Sequence, residues 1–369
     1  MANNLDSRFR PFEVKKKLRE SATITSFHLA PVNPADWRAF EAGQFLTIQI
    51  PNPKGGEALI RNYTVSSAPN DEGVYRITVK REASLNPDMP DGVASCWLHD
   101  TVREGTIVHI DRPRGAFKLD KSSQRPVILL SGGVGMTPTV SMLKVLAQQS
   151  ERPVWFIHAC DGGSVHALRD EVDALAKERR NIHVHYCYRF TTDEDAKSGL
   201  FHSTGFITRE TLQKLLPLDD YEVYMCGPPP FMQAMYDLLI SLGLEKSKIA
   251  YEFFGPASLL SQSAPAAKAG TVVHVDQPAN EAVSGGIEII LGKSNVRFAW
   301  DQTSESILSF LENNGIEPEF SCRAGVCGSC SQGLISGDVD YFEEPLDDVP
   351  QGRVLLCCTK PVSSVVLDL

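Results

Sequence analysis

No stretch of this 369-residue chain approaches the roughly 18 uninterrupted apolar residues that a membrane-spanning helix needs. Its opening segment, MANNLDSRFRPFEVKKKLRE, lacks the apolar core of a secretory leader. These absences lead us to expect a cytoplasmic protein with no membrane partner, in a compartment where disulfides are uncommon. Nine cysteines, an odd number, also argue against complete pairing. Positive charge is scarce: 36 Lys and Arg stand against 46 Asp and Glu, which excludes the basic surface of a nucleic-acid binder. The deficit is uneven. From Gly285 onward five Lys and Arg face thirteen Asp and Glu, so −8 of the net −10 lies there. An end that acidic suits docking to a basic patch on another protein. No histidine follows His274, and no internal repeat is visible.

The length suggests two or three domains, and three blocks with different patterning follow one another. Residues 1–122 alternate like a β structure in FLTIQI, YRITVKRE and TIVHI, with Pro, Gly and Asn between them. Residues 123–256 alternate apolar strands (PVILL, PVWFIHA, IHVHYCY, YEVYMC) with helical stretches, the pattern of a parallel sheet covered by helices. Residues 257–285, rich in Ala, Ser, Pro and Gly, read as a linker. Residues 286–369 carry a cysteine cluster.

That cluster is FSCRAGVCGSC, in which Cys322, Cys327 and Cys330 give C-x4-C-x2-C; Cys357 and Cys358 follow. The spacing is that of a plant-type 2Fe-2S cluster, where four thiolates hold two irons. Gly325, Gly328 and Ser329 let the backbone turn N–H groups toward the cluster sulfurs. A zinc site normally shows two C-x2-C knuckles or histidine partners, and a redox dithiol would lack the third upstream cysteine. The iron–sulfur reading ranks ahead of both. The segment resembles the cluster loop of plant-type ferredoxins over about the last 85 residues. In that family the fourth ligand stands four residues before a proline; matched to Pro361, it is Cys357, which leaves Cys358 as a shielded free thiol.

The stretch LLSGGVGMTP ends an apolar strand and opens a helix. Gly132, Gly133 and Gly135 remove side chains where a pyrophosphate would approach the backbone, followed by Met136, Thr137 and Pro138. Pro138 stands where G-x-G-x-x-G has its third glycine. A later strand ends in Cys226, Gly227 and Pro228 at the same edge of the expected sheet. Together these resemble the nicotinamide-nucleotide domain of the ferredoxin–NADP reductase superfamily. The resemblance implies that the glycine loop holds pyrophosphate and that Cys226 lies beside the nicotinamide ring. Arg189 stands where some relatives bind the 2′-phosphate of NADPH, but Asp161 nearby disfavours a phosphate, so the reading leans to NADH over NADPH.

RNYTVSS fits the same superfamily's Arg-x-Tyr-Ser/Thr flavin motif. By that resemblance Arg61 neutralises flavin phosphate, Asn62 lies beside it, Tyr63 packs on the ring and Thr64 bonds near its N5 atom, so Thr64 and Cys226 are the expected catalytic positions. Thr78, Val79 and Lys80, and then Gly92, Val93, Ala94 and Ser95 before an apolar helical stretch, resemble two further flavin-binding segments. YEFFGP, with Glu252 and Phe254, resembles the segment that closes over the flavin in flavohaemoglobins. That likeness spans about residues 10–256 and implies FAD, with FMN as the alternative, and we expect no globin domain ahead of it.

The resemblances imply a Greek-key β-barrel flavin domain, an α/β parallel-sheet nicotinamide domain and an α+β, β-grasp ferredoxin domain. A nicotinamide gives electrons in pairs and a 2Fe-2S cluster takes them singly; a flavin does both. We therefore expect an NAD(P)H-oxidising flavin and iron–sulfur reductase that serves a protein electron acceptor. It is similar to the reductase components of Rieske-type oxygenases and to the reductase of the hybrid-cluster protein. The alternatives are a flavin oxidoreductase acting on small molecules and a redox sensor, which would need no nicotinamide site.

Overall fold

The computed structural model describes residues 9–53, 58–83, 92–253, 287–316, 318–320, 325, 328, 330–343, 345 and 348–369. They divide into two compact units, Met1–Phe254 and Gly255–Leu369. The expected linker, 257–285, lies outside the described residues.

The first unit begins with strands β1 (Arg10–Arg19), β2 (Ile24–Pro31), β3 (Phe45–Ile50), β4 (Leu59–Thr64) and β5 (Tyr75–Lys80), then helix α1 (Val93–Asp100) and β6 (Ile107–Ile110). The strands pair antiparallel in the order β4-β3-β6-β1-β2-β5. Val65 bridges Ile77, and the Ser66 N–H donates to the Arg76 carbonyl at 2.7 Å. These contacts join the two edges and close a barrel. Alternation fills it: Phe12 and Val14, Phe27 and Leu29, Leu46, Ile48 and Ile50, and Tyr75, Ile77 and Val79 all point inward. Each such side chain, once buried, contributes about 1.5–3 kcal/mol. Ala94 and Leu98, four apart on α1, pack on this core. The far end of α1 is held by Lys17, whose Nζ donates to the carbonyls of Leu98, His99 and Val102 at 3.3, 2.6 and 2.7 Å.

The same unit continues as β7 (Val127–Gly132), α2 (Met136–Gln149), β8 (Val154–Cys160), α3 (Arg169–Glu178), β9 (Ile182–Tyr188), α4 (Asp193–Ser198), β10 (Ser203–Thr204), α5 (Arg209–Leu215), β11 (Glu222–Gly227), α6 (Pro229–Ser241) and β12 (Ile249–Phe253). The sheet order is β10-β9-β8-β7-β11-β12 and every pairing is parallel. The order reverses between β7 and β11, and this is where open α/β sheets bind ligands, beyond the strands' carboxyl ends. Helix α2 is buried along most of its length because it meets both the sheet and the barrel. Its Ser141 hydroxyl donates to the Ser67 carbonyl of the barrel at 2.8 Å.

The second unit has β13 (Glu288–Leu291), β14 (Val296–Ala299), α7 (Ile307–Asn313), β15 (Ser331–Ser336), β16 (Val339–Tyr341), β17 (Arg353–Leu355), β18 (Thr359–Pro361) and β19 (Val365–Leu367). Five strands pair in the order β14-β13-β19-β15-β17, with β13 and β19 parallel and the other pairings antiparallel. Ile307, Leu308, Phe310 and Leu311 of α7 share a core with Ile289, Leu291, Val365 and Leu367 of the sheet. Strands β16 and β18 form a separate ribbon beside it.

Candidate functional site

Thr64 ends β4 and is 4% exposed, yet its Oγ1 has no hydrogen-bond partner among the described residues. A buried hydroxyl left unpaired costs about 1–3 kcal/mol, so a ligand atom at that point suits it. Its neighbours differ in how they are held. Asn62 accepts a hydrogen bond from the Thr47 hydroxyl at 3.0 Å. Tyr63 packs on the barrel core, and burial pushes its phenol above the usual range. Arg61 is exposed, with Nη1 on the Ile60 carbonyl at 2.7 Å.

The next expected segment is more occupied. Thr78 Oγ1 lies 2.8 Å from both Ser26 Oγ and Ser66 Oγ, and the Val79 side chain is in the barrel core. Lys80 pairs with Glu82 at 3.2 Å. This stretch offers a ligand its backbone rather than the side chains of Thr78 or Val79. Gly92 caps α1, which starts at Val93, so Val93, Ala94 and Ser95 form the first turn instead of preceding the helix. The Ser95 hydroxyl is spent on the Glu82 N–H and the Gly92 carbonyl, both at 3.1 Å. The first-turn N–H groups have no side-chain cap and no acidic neighbour in that turn. A flavin phosphate fits there.

In the glycine loop the three glycines do different jobs. A Cβ on Gly135 would stand 2.2 Å from the Cys226 carbonyl, and one on Gly132 would meet the Phe231 ring at 2.9 Å. Those two let the loop lie against β11 and α6. Gly133 alone opens outward: its φ is +55° and nothing lies within 4 Å of its Cβ position. Its backbone is therefore the part of the loop left open to a ligand. Met136, Thr137 and Pro138 are buried, with the Thr137 hydroxyl on the Val134 carbonyl at 3.1 Å. Val134, absent from the sequence reading, is partly exposed beside Gly133. Beneath the loop Ser131 Oγ meets His158 Nδ1 at 2.9 Å, and burial pushes that imidazole down to about 4, so it stays neutral.

Cys226 is fully buried, which raises its thiol well above the usual range and keeps it protonated. Gly227 packs against Phe231 and Gly132, while Pro228 is exposed. Glu252 lies opposite Cys226 in the β11–β12 register. Burial pushes its carboxyl up to about 8, and its Oε2 has no partner among the described residues. A neutral thiol and a neutral carboxyl thus occupy this end of the sheet at pH 7. Phe254 lies outside the described residues. At the adjoining strand ends Arg189 pairs with Asp161 at 4.0 Å and stacks over Phe190 and Phe206 at 4.7 and 5.2 Å.

Of the expected cluster ligands, Cys322 and Cys327 lie outside the described residues, and no metal-holding group of three or more side chains occurs among those described. Cys330 and Cys357 are buried and within hydrogen-bonding reach of each other. The Gly325 N–H, in a left-handed turn at φ +67°, donates to Cys357 Sγ at 3.4 Å. Cys358 instead donates to the Leu355 carbonyl at 3.7 Å and is 0% exposed. A backbone N–H aimed at a sulfur suits a cluster thiolate, so Cys357 fits the ligand position and Cys358 fits a shielded thiol.

Known proteins share this layout. Residues 11–119 match the oxidoreductase FAD-binding domain, residues 129–237 the oxidoreductase NAD-binding domain, and residues 289–362 the 2Fe-2S iron-sulfur cluster binding domain. The flavohemoprotein of Bacillus thuringiensis is 42% identical over 253 residues, 68% of this chain; the alignment spans only 62% of that relative's length. The flavohem-like FAD/NAD-binding domain of nitric oxide dioxygenase from Vibrio cholerae is 33% identical, with a TM-score of 0.60, over 67% of this chain and 99% of that one. Phthalate dioxygenase reductase, described as a modular structure for electron transfer from pyridine nucleotides to a 2Fe-2S centre, is 25% identical with a TM-score of 0.55 and covers 98% of both chains.

Proposed function

The chain belongs to the flavohemoprotein-type family of FAD/NAD-binding oxidoreductases, continued here by a 2Fe-2S domain, and from that premise we propose that it carries electrons from NADH to a partner redox protein. When bound, a flavin accepts hydride from a reduced nicotinamide and gives up the two electrons singly, as a 2Fe-2S cluster requires. The chain's own residues supply the positions. Thr64 offers its unpaired hydroxyl to the flavin ring, Tyr63 its ring face, and Arg61 and the α1 N-terminus their charge and dipole to the phosphates. Gly133 admits the nucleotide pyrophosphate. Cys226 and Glu252, both neutral, exclude water beside the nicotinamide without adding charge. No side chain has to act as acid or base at the hydride step. Cys322, Cys327, Cys330 and Cys357 hold the cluster.

The observation that carries this reading is the presence of all three cofactor-binding modules on one chain. The Asp161–Arg189 pair favours NADH, because Arg189 is already engaged by a carboxylate and a bound 2′-phosphate would be repelled by it. The acceptor we favour is the terminal component of a Rieske-type oxygenase. Purified protein should carry about one FAD and two irons per chain. NADH should support fast reduction of a one-electron protein acceptor and only slow reduction of oxygen or free flavin. Zinc in place of iron, or turnover as fast with small molecules as with a protein acceptor, would overturn the reading.

A further inference from the structure

Arg76 projects from the outer face of β5, between Tyr75 and Ile77, which point into the barrel. An outward arginine is normally solvated; this one is 7% exposed. Its Nη1 and Nη2 donate to Glu171 Oε2 and Oε1 at 2.7 and 3.3 Å, a bidentate pair across to α3. Its Nε donates to Ser66 Oγ at 3.0 Å and its Nη2 to the Ser66 carbonyl at 2.6 Å. Glu171 Oε1 also meets Lys144 Nζ of α2 at 2.5 Å.

A single carboxylate therefore binds a barrel strand to the helix that opens with the glycine loop. The chain of contacts runs Lys144–Glu171–Arg76–Ser66 and stops two residues from Thr64, whose buried hydroxyl has no partner among the described residues. Exposed ion pairs contribute little, but removing one partner of a buried pair leaves a charge without compensation. Here it would leave two cations, Arg76 and Lys144, facing each other across the junction. Neutral contacts at the same junction, Ser141 to Ser67 and Asn70 to Gln148, would remain and keep the halves together. The result would be a shifted junction rather than a separated one.

We propose that Glu171 and Arg76 are positioning residues for hydride transfer, setting the distance between the nicotinamide end of the sheet and the flavin at Thr64. The inference rests on the reading above of where the two cofactors lie. It is specific because a misplacement of about 1 Å can cost on the order of 100-fold in rate.

The test is rapid-mixing reduction of the bound flavin by NADH, and by NADH deuterated at the transferred hydrogen, in the full-length holoprotein. Glu171→Gln should lower the limiting rate at saturating NADH by at least about tenfold, with the isotope effect kept or enlarged. Flavin content and visible spectrum should be unchanged. Arg76→Lys, which keeps the charge but loses the fork, should fall between. Adding Lys144→Met to Glu171→Gln removes the surplus cation and should restore most of the rate. A limiting rate per bound flavin equal to wild type, with only melting temperature or flavin content lowered, would overturn the inference; so would failure of the double variant to recover. Should Glu171→Gln not fold, Arg76→Lys against wild type decides by the same rate. A wild-type flavin that NADH does not reduce would overturn the functional reading itself, and this inference with it.

Discussion

Cys226 and Glu252 stand opposite each other on neighbouring parallel strands, a thiol and a carboxyl both forced by burial to keep their protons. The carboxyl's folded value of about 8 exceeds the roughly 4.3 of an unfolded chain. Between those values the folded state holds a proton that the unfolded state has lost. Stability from Glu252 is therefore complete below about pH 4.3 and declines as pH rises through 8. Relative to Glu252→Gln, the wild-type melting temperature should fall steadily from pH 5 to 8.5. The difference between the two proteins is the readout, because buried neutral histidines such as His158 add stability with the opposite pH dependence below about pH 6.5. Parallel curves for the two proteins would mean that the carboxyl ionises freely in the fold.

The glycine loop separates packing from binding. Gly135→Ala puts a methyl group against the Cys226 carbonyl and should destabilise the first unit by several kcal/mol, enough to lose soluble protein. Gly133→Ala meets no atom and costs only about 1 kcal/mol for its left-handed backbone. Gly133→Val should raise the NADH concentration for half-maximal flavin reduction while dithionite still reduces the cluster. Thermal melts and NADH titrations of the three variants would show it; equal loss of folding in all three would refute the division.

At the cluster, Cys357→Ser should abolish or severely damage the visible iron–sulfur absorption and reduce the iron content. Cys358→Ser should leave both intact, at a modest cost of about 1–3 kcal/mol for a hydroxyl in a buried site. The reverse pattern would exchange the two assignments. In either variant NADH should still reduce the flavin, because Cys357 and Cys358 lie outside the unit that matches the FAD- and NAD-binding domains.

Six of the acidic residues after Gly285 fall within 338–350, just ahead of Cys357. If they steer a basic acceptor, electron transfer to it should slow steeply with salt, since screening acts over about 10 Å at 0.1 M. Glu343→Lys with Glu344→Lys should weaken transfer at low salt, and hydride transfer from NADH should respond much less. An acceptor reaction indifferent to both would point to apolar docking.

Local pattern made much of this molecule readable. FLTIQI and IHVHYCY became β3 and β9 without adjustment, because each alternates or runs apolar for its full length. The cysteine spacing spoke for itself because ligand geometry constrains neighbours in sequence. The first strand was harder: RPFEVKKKLR carries five Lys and Arg in ten residues, and only Phe12 and Val14 mark its inner face. Lys17 gave no signal of its partners, carbonyls more than 80 residues away. Nor did Arg76 and Glu171, which lie 95 residues apart and meet only once barrel and sheet have formed. The separate tasks of Gly132, Gly133 and Gly135 also depend on Phe231 and Cys226, supplied by a distant turn.

Strand β12 is the last piece of the first unit to be synthesised, yet it covers the edge of β11 that carries Cys226. A fragment ending before Ile249 would leave that edge bare, an invitation to pair with another chain. On the ribosome the stretch from Phe253 to Cys322 takes roughly 3–14 s to make at about 5–20 residues per second. That interval lets β12 cover the β11 edge before the first cluster cysteine is made.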